Sequence, residues 1–335
     1  MSPTGATILG CLEPTVSADE RAFFREANPW GFILFARNVE APEQLRRLTG
    51  DLRDAVGRDA PIFVDQEGGR VQRLRAPHWR EWAPPLDTVT AAGPNAPRVM
   101  NLRFQLIAAE LRAVGIDGDC APTADLATDV THPFLKNRCY GNDVNGVIEV
   151  AREVAKGLLA GGVLPVMKHM PGHGRASLDT HHELPRVTAE VTELAATDFA
   201  VFRALSDLPL GMTAHIVFSA LDDRPSTASE KMVKIIRQDI GFDGLLMTDD
   251  LSMQALSGTL GERAAAARAA GCDIMLHCNG KRPEMEEVVA AAGRLTDRAQ
   301  RRASAALALR KAPDHVDIAA LEAELSALME GRGTA

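Results

Sequence analysis

Eight times between residues 6 and 277 the chain places a short apolar run ahead of a stretch patterned as a helix or an irregular loop. This alternation most narrows the folds open to it. Antiparallel strands can be joined by tight turns, whereas strands separated by helices need crossovers and therefore pair in parallel. The runs fall at residues 6–11, 31–35, 61–64, 116–126, 163–167, 208–218, 244–247 and 272–277. Helices are predicted from Ser17, where Ser17 and Glu20 form a capping box, then over 42–56, 96–114, 146–160, 191–205, 227–240 and 261–270. One or two more close the series over 282–310, and an extra helix follows over 316–329. No low-complexity linker divides the chain, so the expectation is α/β: a single-domain (β/α)8 TIM-type barrel over residues 1–335 with a C-terminal helix packed outside.

Charge and composition exclude several functions. Lys plus Arg number 37 and Asp plus Glu 45, a net charge of −8 that argues against nucleic acid or an anionic membrane as the main partner. With 11 Phe, 3 Trp and 1 Tyr, the chain is too poor in aromatics to line a long polysaccharide groove, though one or two sugar units need fewer platforms. Cys11, Cys120, Cys139, Cys272 and Cys278 are odd in number, widely spaced and without a C-x-x-C pair, so they read as small core residues in a reducing compartment. The first residues lack a basic stretch and a long apolar run, and nothing approaches a membrane span. A cytoplasmic monomer is expected.

In a barrel of this kind the residues just past the strands' C-terminal ends make the active face. Four such ends are polar. The run 163–167 breaks into Lys168-His169-Met170-Pro171-Gly172-His173-Gly174, then Asp179-Thr180-His181-His182. His169 and His173 are spaced for two metal ligands on a helix, but Pro171, Gly172 and Gly174 forbid that helix, so no metal site is expected. Asp179 and His181 suit a dyad in which a carboxylate orients an imidazole and raises its proton affinity, giving an acid/base poised near neutral pH. The run 61–64 ends in Asp65-Gln66-Glu67-Gly68-Gly69-Arg70-Val71-Gln72-Arg73, in which Glu67 and Arg70 fit a solvated loop as well as a site. His215 ends the sixth run, and as a lone histidine it reads more readily as a structural residue. Thr248-Asp249-Asp250-Leu251 ends the seventh, where alternation lets only one of two adjacent carboxylates face the mouth and leaves the other to cap the turn.

These blocks resemble the signatures of glycoside hydrolase family 3, in its β-N-acetylglucosaminidase branch. That branch carries Lys-His-Phe-Pro-Gly-His-Gly followed by Asp-Ser-His, which this chain matches with Met170 for Phe and Thr180 for Ser. Residues 64–73 match a second block residue for residue, and Thr248-Asp249 matches the nucleophile element. The resemblance implies a retaining exo-β-N-acetylglucosaminidase acting without metal or organic cofactor on a small carbohydrate, with the release of N-acetylglucosamine from anhydro-muropeptides in cell-wall recycling as its setting. It implies Asp249 as nucleophile and His181, held by Asp179, as acid/base. Asp65, Arg73, Arg138, Lys168 and His169 would bind the sugar, and His215 would line the pocket. Phosphorolysis, a metal-dependent barrel hydrolase and a non-catalytic sugar-binding barrel are the competing readings. Dependence of rate on phosphate, activity in chelator and binding without cleavage distinguish them.

Overall fold

The computed structural model describes residues 3–177, 184–311, 313 and 315–331. Its main sheet has eight strands: β1 (Gly5–Gly10), β2 (Pro29–Leu34), β3 (Ile62–Val64), β4 (Gly118–Asp119), β5 (Leu164–Met170), β6 (Leu210–Thr213), β7 (Leu245–Met247) and β8 (Met275–His277). Each pairs in parallel with the next, from β1 to β7, and β8 returns to β1. A parallel bridge between Met247 and Ile274 joins β7 to the segment entering β8, so the ring closes as the expected (β/α)8 barrel.

Period-two alternation sorts the strand residues into two cores. Ile8, Phe63, Leu164, Val166, Leu210, Met212, Leu245, Met247 and Leu276 share the barrel interior. Their neighbours Leu9, Ile62, Val64, Met167, Leu246 and Met275 pack outward against the helices. Ala299, Ala303 and Ala306 on one face of helix Asp297–Ala308 join the interior cluster and close the barrel at the end where β7 and β8 begin. Close packing inside sets a glycine requirement: a Cβ on Gly118 of β4 would stand 2.2 Å from the Phe63 ring.

The helices follow their local chemistry. Ser17 accepts from the Glu20 backbone N–H and Glu20 returns the bond, the expected capping box for helix Ala18–Ala27. Pro42 opens helix Pro42–Val56 at the position where a missing N–H costs nothing, and left-handed Gly57 ends it. The C-terminal helix Ile318–Met329 lies against helix Ala96–Ala113, tied by Arg98 to Glu324 at 2.7 Å. None of the described helices is long and apolar enough to cross a membrane. All five cysteines are buried and unbridged.

Four local expectations need correction. β5 runs on to Met170, so Lys168 and His169 belong to the strand and not to the loop after it. The sixth run is interrupted: β6 ends at Thr213, and Val217–Phe218 pairs instead with Arg186–Val187. The helix expected over 191–205 breaks at Thr197 into Val191–Ala196 and Asp198–Ala204. Residues 66–72 form an antiparallel hairpin because the Gln66 side chain accepts from the Arg73 and Leu74 N–H groups and donates to the Leu74 carbonyl, clamping one arm to the other.

Candidate active site

The inward row of each strand, followed one step past its last apolar residue, reaches the barrel mouth. Phe63 is followed by Asp65, Val166 by Lys168 and Met247 by Asp249, each two residues on and therefore on the same side. All three side chains line one cleft of about 220 Å³, together with Arg73, Arg138 and His169. A volume of this size lies at the small end of ligand pockets and suits one ring rather than a chain of them.

One wall is an ion network. Lys168, 2% exposed, donates to Asp65 Oδ1 at 2.8 Å and forms a salt bridge with Glu67 Oε1 at 2.7 Å. Arg73 Nη2 meets the other Asp65 oxygen at 2.9 Å. Arg138 forks onto Glu67, with Nε to Oε2 at 2.9 Å and Nη2 to Oε1 at 2.7 Å. Burial alone would keep these carboxyls protonated. The neighbouring cations outweigh it, holding Asp65 far below the usual carboxylate range and Glu67 at about 2. Lys168 in turn is held above its usual value: burial favours the neutral amine, and Asp65 and Glu67 reverse that. The pairing does not use every donor. Among the described residues Arg138 Nη1 and Arg73 Nε have no partner, so the wall still offers hydrogen bonds to a ligand.

Asp125, buried just past β4, organises the opposite wall. Its Oδ2 takes the His169 ring at Nδ1, 2.7 Å away, and its Oδ1 accepts the backbone N–H groups of His169 and His173 at 3.2 and 2.7 Å. Burial opposes the charge, and His169 and His173 hold Asp125 ionised with a pKa of about 2. With Nδ1 committed to a carboxylate, His169 has Nε2 left for the cleft. His173 lies beside it, ring centroids 5.4 Å apart, and burial and then His169 depress its pKa to about 4, so the ring is neutral near pH 7. Among the described residues no group of His, Cys, Asp and Glu is arranged to hold a metal ion.

Asp249 and Asp250 both line the cleft, where alternation admits only one, and differ in what they bond. Asp249 lines the cleft and accepts the Asp250 N–H at 2.8 Å; burial disfavours its charge, yet His169 and His215 bring its pKa below the usual value, so it is ionised. Asp250 caps the turn, accepting from Ser252 N–H and Oγ–H and from the Cys278 N–H.

His215 stands elsewhere than expected. Two residues past the end of β6, it is 1% exposed and is not among the residues that line the cleft. Both ring nitrogens are engaged: Nε2 donates to the Asp250 carbonyl at 3.0 Å, and Nδ1 meets Thr227 Oγ1 at 2.8 Å. Burial lowers its pKa, so Nδ1 of the neutral ring accepts the Thr227 proton. It braces the Asp249–Asp250 turn from behind.

Glu67 and Asp125 were not singled out as site residues from sequence. Glu67 was weighed as a solvated side chain and is 1% exposed. The signal for Asp125 was present, an acid inside the apolar segment 116–126, but its partners lie 44 and 48 residues away. Asp179 and His181, the expected dyad, and His182 beside them lie outside the described residues.

Buried Asp119 gives a test of the electrostatics around the network. Its Oδ1 accepts the Gln66 N–H at 3.0 Å and its Oδ2 has no partner among the described residues. Burial pushes its pKa up to about 8, against the pull of that N–H and Lys168. Between the ordinary carboxylate value and about 8 the folded chain holds a proton that the unfolded chain has released, so Asp119 costs stability as pH rises. Asp119→Asn keeps an oxygen for Gln66 and carries no charge. Its Tm, relative to the parent, should be about 5 °C higher at about pH 8 than at about pH 5. Equal offsets at both pH values in thermal melts would show Asp119 to be ionised throughout.

A (β/α)8 barrel whose mouth gathers an ionised carboxylate, an imidazole and a wall of paired cations defines a class, the barrel enzymes that act on small polar substrates. Comparison with known proteins narrows it. Residues 9–307 match the model of the glycosyl hydrolase family 3 N-terminal domain. The chain is 37% identical to a β-hexosaminidase of Alkalilimnicola ehrlichii over 282 residues, 82% of this chain and 81% of that one. It is 36% identical to a β-hexosaminidase of Photobacterium profundum, covering 83% of each. Among solved structures, NagZ of Neisseria gonorrhoeae in complex with N-trifluoroacetyl-D-glucosamine aligns with a TM-score of 0.85 at 29% identity over 98% of both chains. A family 3 β-N-acetylglucosaminidase of Paenibacillus sp. aligns at 0.86 and 27% identity, covering 97% of this chain and 67% of that one. The chain belongs to glycoside hydrolase family 3. Within it, the chain is a NagZ-like β-N-acetylhexosaminidase.

Proposed function

We propose that the chain is a retaining exo-β-N-acetylglucosaminidase working through a glycosyl-aspartate. In the first step an Asp249 oxygen bonds to the anomeric carbon while the bond to the aglycone oxygen breaks, and His181, oriented by Asp179, gives that oxygen its proton. In the second, water adds to the anomeric carbon as His181 takes a proton from it, and the Asp249 ester is released. An imidazole serves both steps without the burial a carboxylic acid needs to reach a near-neutral pKa.

The observation that carries this reading is the position of Asp249, ionised and at the end of the inward row of β7, in the same cleft as Asp65, Arg73, Arg138, Lys168 and His169. These five would hold the hydroxyls and the acetamido group of the sugar through the hydrogen-bonding capacity left over from their mutual pairing. His215 acts on Asp249 through the turn it braces. The mechanism uses no metal or organic cofactor. The amino-sugar analogue bound by the Neisseria gonorrhoeae enzyme supports N-acetylglucosamine as the glycone. Anhydro-muropeptides in the cytoplasm, handled by a monomeric single-domain enzyme in cell-wall recycling, complete the proposal.

His181→Ala tests the acid/base assignment. The loss in kcat/KM should be small for aryl glycosides with activated leaving groups and about 10²–10⁴-fold for unactivated sugars. A uniform loss across leaving groups would remove His181 from the acid role.

A further inference from the structure

At the opposite end of the barrel a second concavity, of about 860 Å³, gathers positive charge in a chain whose net charge is −8. Lys234, Arg237, Arg268, Arg294, Arg298 and Arg302 line it, against Glu230, Asp243 and Asp273. It lies between helix Glu230–Gln238, the turn that precedes β8 and the first turn of helix Asp297–Ala308.

The cations are of two kinds. Asp273, its side chain 7% exposed, anchors Arg237 at 2.6 Å and Arg302 at 3.2 Å, which fixes two guanidinium groups in the groove wall. Among the described residues, Arg268 and Arg294 are tethered through backbone carbonyls alone. Lys234 and Arg298 are exposed and make no hydrogen bond or salt bridge among the described residues. Of the three acids, Asp243 is 89% exposed on its side chain and pairs with Arg302, Asp273 is spent on the two anchored arginines, and Glu230 is exposed, so six cations face three carboxylates. Like charges gathered this way repel, and an anion relieves them. A further depression of about 660 Å³ shares Asp243, Arg298 and Arg302 and adds Arg301, so the basic surface extends beyond one phosphate's width.

We propose that this groove binds a small polyanion carrying at least two phosphate groups. Arg237 and Arg302 spend their donors on Asp273, Asp243 and backbone carbonyls and add fixed positive charge to the wall, while Lys234 and Arg298, with Arg268 and Arg294 beside them, supply the hydrogen bonds to phosphate oxygens. The acidic balance of the whole chain disfavours an extended polyanion such as nucleic acid, which would leave the groove and meet negative surface.

Calorimetric titration of the full chain with tripolyphosphate and with ADP, at about 0.15 M salt, tests this. One site per chain saturating below about 1 mM is expected. Lys234→Glu with Arg298→Glu should weaken it by about tenfold or more, and Lys234→Gln with Arg298→Gln by less, with hydrolysis of an aryl N-acetylglucosaminide unchanged in both. No saturation by about 10 mM, equal affinity in the charge-reversed variant, or tighter binding of a DNA duplex than of tripolyphosphate would each overturn the assignment.

Discussion

Asp249→Ala should lower kcat for an aryl β-N-acetylglucosaminide by about 10⁴-fold or more, some 5.5 kcal/mol of lost transition-state stabilisation. A nucleophile's removal leaves no comparable route, because the remaining groups bind and protonate but cannot form the covalent intermediate. The fold should survive. Asp249 has one hydrogen-bond partner given by the structure, the Asp250 N–H, and Asp250 keeps the turn through Ser252 and Cys278. Removing a carboxylate whose burial opposes its charge does not expose an unpaired partner of similar cost. Steady-state kinetics beside a melting curve will separate the two effects, and turnover within tenfold of the parent would contradict the role given to Asp249.

Lys168→Met should be the most destabilising substitution in the cleft. It leaves Asp65 and Glu67 facing each other without the ammonium that bridges them, and breaking a buried pair in this way costs about 3–5 kcal/mol. The effect has a sign in pH. In the parent both carboxyls titrate below their usual values, so the stability they bring is present above the ordinary carboxylate pKa and is lost as pH falls toward about 2. In the variant one of them protonates at higher pH and the repulsion ends. The Tm deficit, about 5–10 °C near neutrality, should therefore shrink as pH approaches about 4. A deficit constant over that range would mean that Lys168 acts by packing and not by charge.

How the sequence foretold this site follows from the range of each interaction. Strand positions were legible because burial inside a barrel imposes apolar runs, and Asp65, Lys168 and Asp249 were legible because each polar group continues an inward row by one step of two. Helix starts were legible where the signal is local, as at Ser17 and Glu20. Glu67 could not be told from a solvated side chain, since its state depends on Arg138, 71 residues away. The same holds for Asp125, which is defined by the histidine it orients. Family resemblance implies His215 in the pocket, whereas its ring is spent on Thr227 and the Asp250 carbonyl, partners 12 and 35 residues away. The break at Thr213 that ends β6 arises from pairing between Val217–Phe218 and Arg186–Val187, which no local pattern announces.

The central claim is a covalent bond between sugar and Asp249. Incubation with a 5-fluoro N-acetylglucosaminide whose second step is slow, followed by proteolysis and mass spectrometry, tests it most directly. The account predicts one added sugar on the peptide bearing Thr248-Asp249-Asp250, localised by fragmentation to Asp249. A label on Asp250, on Asp65 or on any other side chain, or turnover without a trapped ester, would contradict it.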